Sequence, residues 1–73
     1  MAITYNDLYL DIRRQLRESG VEASTLEARE LVCFGTGKSR EELSRDGRLY
    51  ASPEREEQVR RLVARRMDRP QGT

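Results

Sequence analysis

The run Gly35-Thr36-Gly37-Lys38-Ser39 ends in Gly-Lys-Ser, the close of a loop in which backbone amides and a lysine cradle phosphate. That loop needs a further glycine five residues before Gly37, and position 32 holds Val32. It also needs a preceding strand, and the residues before it have helical spacing. The run therefore reads as a connection between helices, with Ser39 as a cap. Cys33 is the single cysteine and the chain has no histidine. Imidazole acid–base chemistry and imidazole-dependent metal sites are thereby excluded. Cys33, beside Val32, reads as a small hydrophobe on the buried side of its helix. No catalytic, cofactor-binding or metal-ligating residue is expected in this chain. The remaining candidates are cations: Arg61, Arg65 and Arg69 recur every four residues on one helical stripe, where they could contact a partner's phosphate or acidic surface. The competing reading is a solvated face, with Glu54, Glu57 and Asp68 as partners. Tyr5, Tyr9 and Tyr50 read as core or half-buried packing, not as stacking platforms.

These side chains must be held by a single small domain. The chain has 73 residues, with fourteen Lys and Arg against thirteen Asp and Glu and a formal charge of +1. So small a charge gives no global pull toward nucleic acid or an anionic membrane. One cysteine leaves the core without an internal disulfide, in keeping with a reducing compartment. The apolar runs of this chain are too short to span a membrane. The start, Met1-Ala2-Ile3-Thr4-Tyr5, lacks the basic flank and apolar stretch of a signal peptide. A cytoplasmic location is expected.

Helical periodicity runs through nearly the whole chain. Tyr5, Leu8, Ile12 and Leu16 form an apolar stripe, opened by Thr4 as N-cap and closed by Gly20 with Val21, which predicts a helix from about Tyr5 to Ser19. A second helix opens at Ser24-Thr25-Leu26-Glu27, a capping-box pattern, and presents Ala28, Leu31, Val32 and Gly35 on one face. Two of those four are small, which predicts a close approach to a neighbour. The pattern repeats at Ser39-Arg40-Glu41-Glu42, before a short third helix around Leu43 that stops at Asp46-Gly47. Leu49, Tyr50 and Ala51 form a brief apolar bridge. Ser52-Pro53-Glu54 then starts a last helix carrying Val59, Leu62, Val63 and Met67 on one face, stopped by Pro70. No run alternates with period two, so no sheet is expected. The fold class is all-α: a small orthogonal bundle of about four to five short helices.

The series Leu26-Glu27-Ala28-Arg29-Glu30-Leu31-Val32, Thr36-Gly37-Lys38-Ser39-Arg40-Glu41-Glu42-Leu43 and Leu62-Val63-Ala64-Arg65-Arg66 before Pro70 resembles the N-terminal helical domain of the release factor glutamine methyltransferases, the HemK/PrmC family. Leu16-Arg17 and Gly20-Val21-Glu22 resemble it too, so the likeness covers about Tyr5 to Pro70. It implies residues 1–69 as a single helical N-terminal, substrate-recognition domain, and 70–73 as a tail leading toward a catalytic domain absent from this chain. It implies that the full enzyme uses S-adenosylmethionine, bound by the other domain, to methylate a glutamine in peptide chain release factors. The family's Asn-Pro-Pro-Tyr motif does not occur here, so this domain is expected to be no enzyme on its own. Its partners would be a release factor and its own catalytic domain, without a membrane, and the domain would be a monomer.

Two other classes fit the same residues. A small helical nucleic-acid-binding module would use the third helix and the arginine-rich fourth, but requires a concentrated basic face that near-neutral charge disfavours. A structural dimerisation domain requires an apolar patch wider than these narrow stripes.

Overall fold

The computed structural model describes residues 2–68. Arg69, the stop at Pro70 and the tail 70–73 lie outside the described residues. The order is β1 (Ile3–Thr4), α1 (Tyr5–Glu18), α2 (Ser24–Thr36), α3 (Arg40–Arg45), β2 (Tyr50–Ala51) and α4 (Pro53–Asp68). The fold is a small all-α domain with four helices among the described residues.

α1 forms as its stripe requires. The Thr4 hydroxyl accepts from the Asp7 amide at 3.1 Å, and Asp7 sits in the first turn. At the other end the amides of Gly20 and Val21 donate to the carbonyls of Arg17 and Leu16, both at 3.0 Å. This closure needs a left-handed residue, and Gly20 has φ +87°. The stripe buries Tyr5, Leu8, Ile12 and Leu16 against Ala28 and Val32 of α2 and Val59 and Val63 of α4, with Val21, Leu43 and Ala51 completing the core. Burying these apolar faces supplies the main favourable contribution to folding.

α2 packs extensively on both α1 and α4. The small residues on its face serve the second contact: a Cβ on Gly35 would lie 2.6 Å from Val59 Cγ2 and 3.1 Å from Val59 Cα. α2 ends at Gly37 in the left-handed region, φ +74°, where the amide donates to the Cys33 carbonyl at 2.9 Å.

Several expectations are corrected. A two-residue antiparallel ladder exists, pairing Ile3 with Ala51 and Thr4 with Tyr50. Its cause is the demand of the α1 N-terminus for acceptors. Beside the ladder, Tyr5 donates to the Leu49 carbonyl and Asn6 to the Gly47 carbonyl, each at 2.9 Å. Two paired residues are too few to display an alternating pattern. The capping box at Ser24 does not form: Ala23 is the cap and makes no side-chain bond, Ser24 is buried within the helix, and Glu27 is drawn to α4. The box at Ser39 does form, with the Ser39 amide donating to Glu42 Oε1 at 2.9 Å and the Glu42 amide to Ser39 Oγ at 3.1 Å. Ser52 likewise caps α4, accepting from the Arg55 amide at 3.2 Å. Tyr50 is 68% exposed instead of packed, because β2 turns it away from the core that Ala51 enters. Met67 is 38% exposed at the edge of the core, its sulfur accepting from the Ser19 hydroxyl at 3.1 Å.

Candidate functional site

The phosphate-loop resemblance dissolves in the fold. Lys38 Nζ donates to Asp46 Oδ2 at 2.9 Å and lies 5.0 Å from the centre of the Tyr5 ring. Its charge thus ties the α2–α3 connection to the end of α3 and to the start of α1. Ser39 is committed to its capping box and Thr36 to the Val32 carbonyl at 2.7 Å. Arg55 of α4 donates to the Thr36 carbonyl, satisfying part of the α2 C-terminus.

Asp46 sits between Arg45 and Lys38, whose bonds, Arg45's first and Lys38's second, hold its carboxyl down to about 2. The Glu42 carboxyl is also lowered, first by the Ser39 amide and then by the Ser39 hydroxyl. For groups depressed on folding, the stabilisation is complete above the unfolded carboxylate pKa and is lost as pH falls through the folded one. Thermal melts are therefore expected to fall in midpoint as pH drops from about 4 toward about 2. Asp46→Asn should flatten part of that slope while Glu42 sustains the remainder. An unchanged slope in the variant would remove Asp46 from the account.

The arginines of α4 divide into two sets. Arg60 reaches Asp11 of α1 and Glu56, both at 3.0 Å. Partial burial opposes its charge, but bonds to the two carboxylates prevail and raise its pKa. Arg66 grips Glu27 of α2 with two bonds, at 2.6 and 3.0 Å. Both are interhelical ties, which the charge pattern alone did not distinguish from surface cations. Arg61 and Arg65 point outward. Arg61 pairs with Glu57 one turn earlier at 2.7 Å, and Arg65 is exposed beside Ala64 and Asp68. Arg69, the third of the stripe, lies outside the described residues.

Cys33 is half-buried at the rim of the core, and not on its inner side as expected. Burial pushes its thiol pKa up, against opposing fields from Arg40 and Arg29. A thiol held protonated is a poor nucleophile. Among the described residues no group of three or more His, Cys, Asp and Glu is placed to hold a metal ion.

One concavity was not singled out by the sequence. It is a cleft of about 270 Å³ where α1, α2 and α3 meet, floored by Tyr5, Tyr9 and Leu43 and edged by Asn6, Ser44, Arg29 and Arg40. The Tyr9 ring carries Arg13 and Arg29 at 5.7 and 5.9 Å from its centre. Both lie within cation–π range, so the ring orients the two guanidinia. Beyond Arg40 the surface continues past Cys33 to Phe34, which is 79% exposed. Leu26, Glu30 and Phe34 recur every four residues along this outward face of α2. That second stripe was visible in the spacing; its meeting with Tyr9 and Leu43 was not.

Such an arrangement can offer a ligand contact area and charge. No helix among the described residues is long and apolar enough to cross a membrane. No curated protein and no solved structure matches the chain significantly. A family model for the PrmC N-terminal domain matches residues 7–69, from the first turn of α1 to the end of α4, as the order of motifs had implied. The chain belongs to the PrmC N-terminal domain family, the N-terminal domain of a methyltransferase.

Proposed function

We propose that this domain docks its parent methyltransferase onto a protein substrate, a peptide chain release factor, and takes no part in the chemistry. Family membership supports the choice of partner. The contact role rests on one observation: Phe34, a large apolar side chain, stands 79% exposed on a shallow concave surface that it shares with Cys33, Lys38 and Arg40. Aromatic side chains exposed next to concave, polar-rimmed surface are characteristic of protein contacts. Tethered to a catalytic domain, such a surface raises the effective concentration of the substrate glutamine at the active site. Arg61 and Arg65 on the outward side of α4 are proposed as a second, electrostatic contact, which Arg69 would extend. In this reading S-adenosylmethionine belongs to the catalytic domain and the parent enzyme works in the cytoplasm, where release factors act.

The test is an NMR titration of the isotope-labelled 73-residue chain with a release factor, a DNA duplex being run in parallel. Amide shifts confined to one face on adding the release factor are expected, with the spectrum unchanged by S-adenosylmethionine. Silence with the release factor, together with salt-sensitive shifts on adding the duplex, would replace docking by nucleic-acid binding.

A further inference from the structure

Six of the thirteen cations among the described residues pair closely with carboxylates of the chain. Arg14 pairs with Asp11, Lys38 and Arg45 with Asp46, Arg60 with Asp11 and Glu56, Arg61 with Glu57 and Arg66 with Glu27. The α1–α2–α3 cleft departs from that pattern. None of its lining residues is acidic, and two are arginines. Arg40 approaches Glu30 only to 3.8 Å, with about 60% of each side chain exposed, a solvated contact of little strength. Arg29 is directed by its place on the Tyr9 ring, and Arg13, outside the cleft lining, also lies 5.7 Å from the centre of that ring. Positive charge thus converges on a concave site in a chain whose net charge is only +1.

We propose that the cleft between α1, α2 and α3 binds an acidic segment of a protein partner, with Arg29 and Arg40 holding a carboxylate and Tyr5, Tyr9 and Leu43 packing the apolar residue beside it. Size supports a peptide. The 270 Å³ space lies at the low end of the ~300–1,000 Å³ range of ligand pockets, room for one or two side chains. Guanidinium groups pair with carboxylates in a planar, two-bonded geometry, as Arg66 and Glu27 do elsewhere in this fold. The apolar floor gives an amino-acid side chain contact area that an isolated anion could not use. A nucleic-acid strand would require a basic track along its backbone, and the two arginines lining this cleft do not make one. The inference deepens the docking reading above, by naming the chemistry of the segment that is gripped.

The test uses the 73-residue chain and a blocked Glu-Leu-Glu-Leu-Glu peptide, compared with its Gln counterpart and with inorganic phosphate at equal ionic strength. Amide shifts should centre on Tyr9, Arg29 and Arg40. Affinity should fall about tenfold or more for the Gln peptide and for the Arg29→Gln/Arg40→Gln variant, the loss expected when a charge-assisted pair is removed. Arg17→Gln, an exposed arginine outside both proposed contacts, should leave peptide binding unchanged, and circular dichroism should show both variants folded. Equal binding of the Glu and Gln peptides, or equal binding by the cleft variant, would overturn the assignment. So would phosphate producing the same shifts at the same concentration, which would mark a simple anion site. A release factor that binds wild type and cleft variant alike keeps the docking reading and removes the cleft from it. A peptide that binds the cleft while the release factor leaves the chain untouched does the reverse.

Discussion

Gly35→Val is expected to lower the unfolding free energy by about 3 kcal/mol, the upper part of the range for overpacking a close-packed core. The reason is the approach of α2 to α4. Even a bare Cβ at position 35 would lie 2.6 Å from Val59 Cγ2, 3.1 Å from Val59 Cα and 3.2 Å from its amide nitrogen. Two of those three atoms are backbone, and Val59 is fully buried, so neither the chain nor the side chain has space to retreat. One effect opposes the collision: glycine inside a helix costs about 0.8–1 kcal/mol relative to alanine, and substitution recovers that. The clash prevails, because separating two packed helices also breaks the contacts on either side of the site. Gly35→Ala should therefore also destabilise, though less. Adding Val59→Ala to Gly35→Ala should rescue only in part, since it removes Cγ2 and leaves the two backbone contacts. Urea unfolding of the single and double variants measures this, with the coupling read from the cycle. A Gly35→Val variant within ~0.5 kcal/mol of wild type, the ordinary range of a surface substitution, would refute the close α2–α4 approach.

The parts of this fold that could be read beforehand are those decided within one or two turns of chain. Leu8, Ile12 and Leu16 repeat with the helical period, so their common face needs no knowledge of what covers it. Gly20 and Val21 close α1 because only neighbouring carbonyls are involved. The two Ser-x-x-Glu patterns mark the boundary of that legibility. Ser39 and Glu42 form their box, whereas Glu27 is taken by Arg66, 39 residues along the chain. Identical local patterns thus diverge because a distant guanidinium offers two bonds to one of them. The β1–β2 ladder was hidden for a similar reason. Ile3 and Thr4 pair with residues 50 and 51 because α1 needs acceptors for its first amides, which is a tertiary demand on very short segments. For the candidate site, spacing on one helix could only nominate Arg61 and Arg65 as outward-facing cations. The cleft draws Tyr9, Arg29 and Arg40 from three different helices, and no spacing relates residues that meet only through packing.

Ile12→Ala is the sharpest test of the core itself. Ile12 lies at the centre of the α1 stripe with no exposed surface, whereas Leu10, two residues earlier on the same helix, is 39% exposed. Truncating a fully buried isoleucine typically costs about 2–5 kcal/mol, from lost burial and from the cavity left behind. A chain of this length has a total stability of roughly 4–11 kcal/mol, and no disulfide supports it. One truncation thus removes a large share of the margin. Each kcal/mol corresponds to about 4–8 °C of melting temperature at this size, so a fall of at least about 8 °C is expected. Ile12→Val, which removes one methyl group, should cost about 0.5–1.5 kcal/mol, and Leu10→Ala less than Ile12→Ala by a clear margin. Equal losses at positions 10 and 12 would mean that α1 is rotated from the orientation described. That rotation would also displace Tyr9, which shares the helix with Ile12 and orients Arg13 and Arg29 at the cleft. Core and site are coupled in this way: the buried stripe of α1 sets the angle at which its neighbouring tyrosine meets the two guanidinia.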